Sequence, residues 1–307
     1  MPTSCDPNDL ALLAKCFTCL PSVTLQQVQT YLLCQMLSGV TTGSVQLLSQ
    51  SGALSVFPPA ADTNAARGAA LIAAVFAAGT GSDIFLGPGT YAITSSITLP
   101  AGCTLRGVGD TSFISGTGLT DVMIIVRQNN ITVSSLKLSS NTTCLGAFSP
   151  GSSVTATGIV FRAVTATGKG GVIWADSQIS GNQQHNIQAD IYDCNLLGTD
   201  NTGGFGFRAV LSAPALVRMF DCTSFGTVDS VLVSGAVGSV IRIFGGTYLS
   251  DTDGITTGGG TDVYCLACKS RGTGGNDLQN DGGANFSAIY VDFRAGFTGG
   301  VINTTPS

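Results

Sequence analysis

The chain contains no glutamate: all 18 acidic residues among its 307 are aspartate. Glutamate suits helix surfaces and aspartate suits turns and caps, so the bias argues against a helix-rich fold. Charge is scarce, at 10% of residues, and the 13 Lys and Arg are scattered, for a net charge of −5. A nucleic-acid partner would require a basic stripe, and none is present. No apolar run reaches the roughly 18 to 20 residues of a membrane span. The longest, Ala69 to Ala78, is about half that, so no membrane insertion is expected. The opening residues lack a basic region followed by an apolar stretch, and synthesis in a cytoplasm is the expectation. The single histidine, His185, sits in a polar stretch with no Ser or Cys nucleophile motif beside it and reads as a surface residue.

What is abundant points one way. Hydrophobic residues make up 44% of the chain, enough for a sizeable core, and 41 glycines together with many Ser, Thr and Asn call for numerous turns. Ten cysteines without a readable leader favour reduced thiols over a disulfide framework.

Residues 1–56 read as a separate helical segment. Asp9 to Leu20 places Leu10, Leu13, Phe17 and Leu20 on one stripe, and Pro21 ends it. Ser22 or Thr24 caps a second helix carrying Leu25, Val28, Leu32 and Met36. Such a hairpin is too small to bury both faces, so it must dock on something larger. Cys16-Phe-Thr-Cys19 has metal-ligand spacing, but the second CxxC of a usual zinc site is missing, and buried thiols with no metal are expected. Residues 57–61 form a Pro-rich linker, and residues 62–307 the main domain.

Within that domain a six-residue pattern recurs: apolar, any, apolar, two variable positions, then a small or apolar residue. It reads Cys103-Thr-Leu105-Arg-Gly-Val108, Ile131-Thr-Val133-Ser-Ser-Leu136 and Ile159-Val-Phe161-Arg-Ala-Val164. Five more copies end at Cys194, Cys222, Gly246, Cys268 and Val291. By subtraction the ends lie 28, 28, 30, 28, 24, 22 and 23 residues apart. Alternation at period two means strand, and a unit of this length cannot bury its own face, so units must stack. The pattern predicts an all-β, right-handed, single-stranded parallel β-helix with these end positions as a buried column. Cys265 and Cys268 then belong to the core rather than to a metal site. Ala65 to Ala78, the one strongly helical stretch of the domain, is expected as a lid over the first coil. A β-sandwich would turn every 8 to 12 residues without such a column.

Asp62-Thr63, the Ala-rich stretch, Ile84-Phe-Leu-Gly-Pro-Gly-Thr-Tyr91, Leu99-Pro-Ala-Gly102 and Arg106-Gly-Val-Gly109 together resemble the opening of the pectate-lyase superfamily found in phage tailspikes. The resemblance covers about 50 residues and is specific for fold rather than chemistry. It implies a homotrimer. The Cys16-to-Met36 segment is similar to helical modules of bacteriophage virion proteins, which implies docking to other virion proteins through residues 1–56.

The expected register sorts the outward residues into columns. One holds Asp190, Arg218, Arg242 and Tyr264, candidates for ligand binding. Another holds Asp193 and Asp221 one coil apart. Carboxylates about 5 Å apart are the geometry of a retaining glycosidase. Asp is also common at β-helix corners, where it caps turns. Asp251, Asp253, Asp277 and Asp281 read as loop turns, because the Asp251-Thr-Asp253-Gly fragment lacks the distal Glu of a calcium loop. Trp174, Tyr192, Phe205 and Phe207 are candidates for either a sugar-stacking surface or the core. The leading expectation is a virion appendage of tailspike or tail-fibre type, binding a host-surface polysaccharide and needing no cofactor. Two readings compete with it: a polysaccharide hydrolase or lyase using Asp193 and Asp221, and a capsid decoration protein without a ligand.

Overall fold

The computed structural model describes residues 45–48, 54–57, 63–147, 156–174, 187–200, 203–211, 215–235, 238–280, 286–289 and 297–298. The helices expected before residue 40, with Cys16 and Cys19, lie outside the described residues, as do His185, Asp281 and Val291. The described strands form two parallel sheets, one 16-stranded and one 9-stranded, apart from a single antiparallel hairpin at the N-terminal end. Along the larger sheet Thr132–Ser140, Ala156–Gly168, Ile187–Tyr192, Leu216–Phe220, Val240–Phe244, Asp262–Leu266 and Phe286–Ile289 follow one another as neighbours. The chain is a right-handed parallel β-helix of about 7 turns, the hand that parallel crossovers take almost without exception.

The register is the one the sequence repeat predicts. Phe161 lies opposite Ile191, Ile191 opposite Met219, Met219 opposite Ile243 and Ile243 opposite Cys265. These side chains, with Ile159, Val217, Ile241 and Val263, are almost wholly buried in one continuous core. Alternation explains this: a strand covered on one face sends every second side chain inward. Even the least regular copy joins the stack, Phe286 facing Val263.

Each coil turns twice in ways the residue types explain. At the first corner the chain bends at one position, where Ser135, Ala163, Asp193, Asp221, Gly245 and Ala267 all have φ between 50 and 66°. The left-handed region costs an L residue about 1–2 kcal/mol and is tolerated best by Gly, Asn and Asp. Five residues later a glycine column (Gly168, Gly198, Gly226, Gly272) permits close approach of the next strand. At Gly226 a Cβ would stand 1.8 Å from the Asp229 carbonyl oxygen. No side chain fits there.

The first coil departs from the expected column. The register slips between Arg106 and Gly109, so that Gly109 rather than Val108 faces Leu136, and Val108 is 48% exposed. Ser112 takes the interior place: its Oγ accepts from the Val108 amide at 2.8 Å and donates to the Leu86 carbonyl at 2.9 Å. Leu136, Val164, Cys194, Cys222 and Cys268 form the buried column as expected.

The lid is a helix over Asn64–Ala77, capped by Thr63, whose Oγ1 accepts from the Ala66 amide at 3.1 Å. It lays Gly68, Leu71, Ala74 and Val75 on the first coil, against the strand Gly89–Ile93. Sheet pairing reaches back further. Leu54–Phe57 runs parallel to Asp83–Phe85 and forms an antiparallel hairpin with Val45–Leu48. The stack therefore begins ahead of the 57–61 linker.

Candidate functional site

The outer face of the larger sheet carries the expected column in register: Val160, Asp190, Arg218, Arg242 and Tyr264 stand opposite one another on successive coils. Its members differ in what they touch. Arg218 grips Asp190 with both arms, Nε to Oδ1 at 2.6 Å and Nη2 to Oδ2 at 2.8 Å. Tyr192 Oη adds a hydrogen bond to Asp190 Oδ2 at 3.3 Å, and partial burial followed by the Asp190 charge holds that phenol above its ordinary pKa. Half-exposed pairs of this kind contribute about 0.5–1 kcal/mol, so the clamp orients its partners more than it stabilises the fold. The same device recurs far away, where Arg106 grips Asp83 at 3.0 and 2.7 Å. A motif used twice along the shaft is a link between coils, and its charges are already matched.

Arg242 and Tyr264 are different. Both are exposed, Tyr264 at 43%, and among the described residues Arg242 has no anion and no hydrogen-bond partner. They lie opposite each other on adjacent strands. A free guanidinium beside an unstacked aromatic ring can bind the hydroxyl or carboxylate groups and the apolar face of a sugar.

Two residues further along the strands runs a column that the sequence reading missed as a unit: Arg162, Tyr192, Phe220, Phe244 and Leu266. Tyr192 stacks on Phe220 with ring centres 4.7 Å apart, and Phe220 stacks on Phe244 at 5.0 Å. The Arg162 guanidinium covers the outer face of Tyr192, 4.8 Å from its centre. The rings consume each other's faces, so this ladder offers edges and no free platform for a sugar. Its signal was in the sequence: Tyr192, Phe220 and Phe244 recur at the coil spacing, two residues before the buried column. The other aromatic candidates divide. Phe205 and Phe207 are buried, and Trp174 lies in the strand Gly170–Trp174.

No family model and no curated protein matches the sequence. Several solved structures are similar to it, among them the A-modules of the Azotobacter vinelandii mannuronan C-5 epimerases AlgE4 and AlgE6. The first is 16% identical, with a TM-score of 0.47, and the match covers 73% of this chain and 72% of that one. The second is 15% identical, with a TM-score of 0.42, covering 73% and 75%.

Asp193 and Asp221 stand at equivalent corner positions on adjacent coils, and both are exposed. The backbone amides of Asp193 and Asp221 donate to Phe220 and Phe244 of the following coil, at 3.0 and 2.8 Å. Both belong to the left-handed corner column, which Ser135, Ala163, Gly245 and Ala267 occupy elsewhere. The backbone conformation by itself accounts for aspartate at these two positions.

The second acidic set is not a group of solvated loop turns. Asp253 opens a strand and its Oδ1 accepts from the Asn276 amide at 2.6 Å. Asp277 is 1% exposed, accepts from the Gly272 amide at 2.8 Å and pairs with Arg271 at 3.7 Å. A buried carboxylate needs such partners. Among the described members of the set, only Asp251 is exposed.

Proposed function

We propose that this chain is a virion appendage of the tailspike or tail-fibre kind, whose β-helix binds a host-surface glycan along the outer face of its larger sheet. Residues 1–56 join it to other virion proteins, and it works as a homotrimer. The observation that carries the glycan reading is the free pair of Arg242 and Tyr264, set in a column whose other charges are matched. Successive coils lie about 4.8 Å apart, a spacing comparable with one pyranose unit, so a linear polymer can follow the column. A stacked tube with a continuous core is stiff, as an exposed shaft requires.

The test is binding of the purified chain to surface polysaccharide from susceptible cells, with Arg242→Ala and Tyr264→Ala as variants. Loss of a charge-assisted hydrogen bond or a stacked ring weakens binding roughly tenfold each, at about 1.4 kcal/mol per factor of ten. Asp193→Asn and Asp221→Asn are expected to leave binding intact, and no new reducing or unsaturated ends should appear. If those ends do appear and vanish in the Asp variants, the chain is an enzyme. A protein that neither binds the polysaccharide nor competes with adsorption is a decoration protein. Removing residues 1–44 spares both hairpin strands and should abolish incorporation into particles while leaving a folded trimer by light scattering.

A further inference from the structure

The interior of the β-helix holds an arrangement of thiols that glycan binding does not use. Cys194 and Cys222 occupy the same position on successive coils, because Tyr192 faces Phe220 and the Thr223 amide donates to the Cys194 carbonyl at 2.8 Å. Adjacent parallel strands are about 4.8 Å apart, within the Cα separation that a disulfide spans. Their side chains are both buried, the Cys194 thiol donating to the Tyr192 carbonyl at 3.2 Å and the Cys222 thiol to the Phe220 carbonyl at 3.4 Å. The next coil brings no side chain to this column, since its residue is Gly246. The Tyr248 hydroxyl fills the gap, where a Cβ on Gly246 would come within 3.0 Å of it. Cys222 thus has one sulfur neighbour in its column, Cys194. Both cysteines are buried, and each directly follows an exposed corner residue, Asp193 or Asp221.

We propose that Cys194 and Cys222 form a peroxide-oxidisable pair that closes into a disulfide between two successive coils. Cys222 is the attacking sulfur. Its thiolate displaces hydroxide from hydrogen peroxide, forming the S–O bond as the O–O bond breaks, and the hydroxide leaves as water with a proton. Cys194 then attacks the Cys222 sulfur, the S–S bond forms, the S–O bond breaks and a second water carries away the Cys194 proton. Two thiols lose two electrons and one peroxide becomes two waters. Cys222 goes first because the neighbouring Cys194 sulfur outweighs burial and holds the Cys222 thiol below its ordinary pKa. Cys103, Cys144 and Cys265 are poorer nucleophiles. Burial pushes Cys103 and Cys144 up to about 12. Cys265 is raised well above its ordinary value, first by its hydrogen bond with Cys268 and then by burial.

The bridge would tie coils that cytoplasmic reductants keep as thiols and that an oxidising exterior would staple. Peptide mapping of the full chain after hydrogen peroxide treatment, with free thiols alkylated under denaturing conditions, tests it. Trypsin releases Cys194 in peptide 170–208 and Cys222 in peptide 219–242. Their appearance as one linked species, two hydrogens lighter than the sum and split by reductant, is the expected result. In Cys194→Ser, Cys222 should stop at the sulfenic acid and take up dimedone; in Cys222→Ser, Cys194 should stay fully alkylatable. Full alkylation of both cysteines in the treated wild-type chain overturns the proposal. So does a first-formed disulfide within peptide 243–269, which carries Cys265 and Cys268. The wild-type experiment stands alone if a serine variant fails to fold, and it is independent of whether any glycan binds.

Discussion

Replacing Gly68 with alanine separates a lid held by its fit to the coil from one held by helix propensity. Gly68 is buried on the helix face that meets the strand Gly89–Ile93. A Cβ there would stand 1.7 Å from the Ala92 carbonyl oxygen and 2.3 Å from its carbon. Ordinary contact begins at 3.4 Å, so by subtraction the helix must lift by about 1.7 Å, because the opposing atoms are backbone. Leu71 and Ala74 are wholly buried beneath the helix and Val75 nearly so. Full burial of one Leu or Val side chain is worth about 1.5–3 kcal/mol. A gap of even 1 Å forfeits up to about half of the contact attraction, so the lift removes about 3 kcal/mol of packing. Against this, alanine favours a helix over glycine by about 1 kcal/mol. The net expectation is destabilisation by about 2 kcal/mol, read as a lower urea midpoint in far-ultraviolet circular dichroism. Ala69→Gly, on the exposed side of the same helix, should cost about 1 kcal/mol. A Gly68→Ala protein as stable as the wild type, or more so, would refute the docking argument.

Two other outcomes follow from the core. The Tyr248 hydroxyl is buried and, among the described residues, has no hydrogen-bond partner, a deficit of about 1–3 kcal/mol. Tyr248→Phe should therefore raise stability by about 1 kcal/mol in the same urea assay, and a clear loss would mean that the hydroxyl is bonded. Cys103 and Cys144 keep their protons up to about 12 in the folded chain, whereas unfolded thiols ionise near 8.5. The unfolded state sheds those protons first. Stability is then complete below about pH 8.5 and falls towards 12, by about 1.4 kcal/mol per pH unit for each thiol within that window. Urea midpoints measured from pH 8 to 10 check this, and serine at both positions should flatten the slope.

Much of the fold was legible because a β-helix repeats itself. The alternation in Ile159-Val160-Phe161 and its copies set which faces turn inward, and the column ending at Cys194 and Cys222 set which coils touch. The outward column of Asp190, Arg218, Arg242 and Tyr264 followed from the same register. Two features escaped for opposite reasons. The slip that exposes Val108 depends on Ser112 reaching the Leu86 carbonyl, a contact between coils that no local pattern announces. The ladder of Tyr192, Phe220 and Phe244 was within reach of the repeat, but single aromatics weighed one by one do not reveal that they stack.

The sequence by itself determined the strand period, the coil length, the lid and the inward columns, since all of these are properties of spacing along one chain. Only the tertiary structure decided which outward groups are already spoken for. Arg218 and Arg242 look alike in the repeat, yet one is clamped by Asp190 and the other has no partner among the described residues. The same holds for Asp193 and Asp221, whose place in the sequence fits a catalytic pair and whose left-handed backbone fits a corner. Charge pairing and backbone dihedrals depend on what the neighbouring coil supplies, and periodicity along the chain carries no record of that.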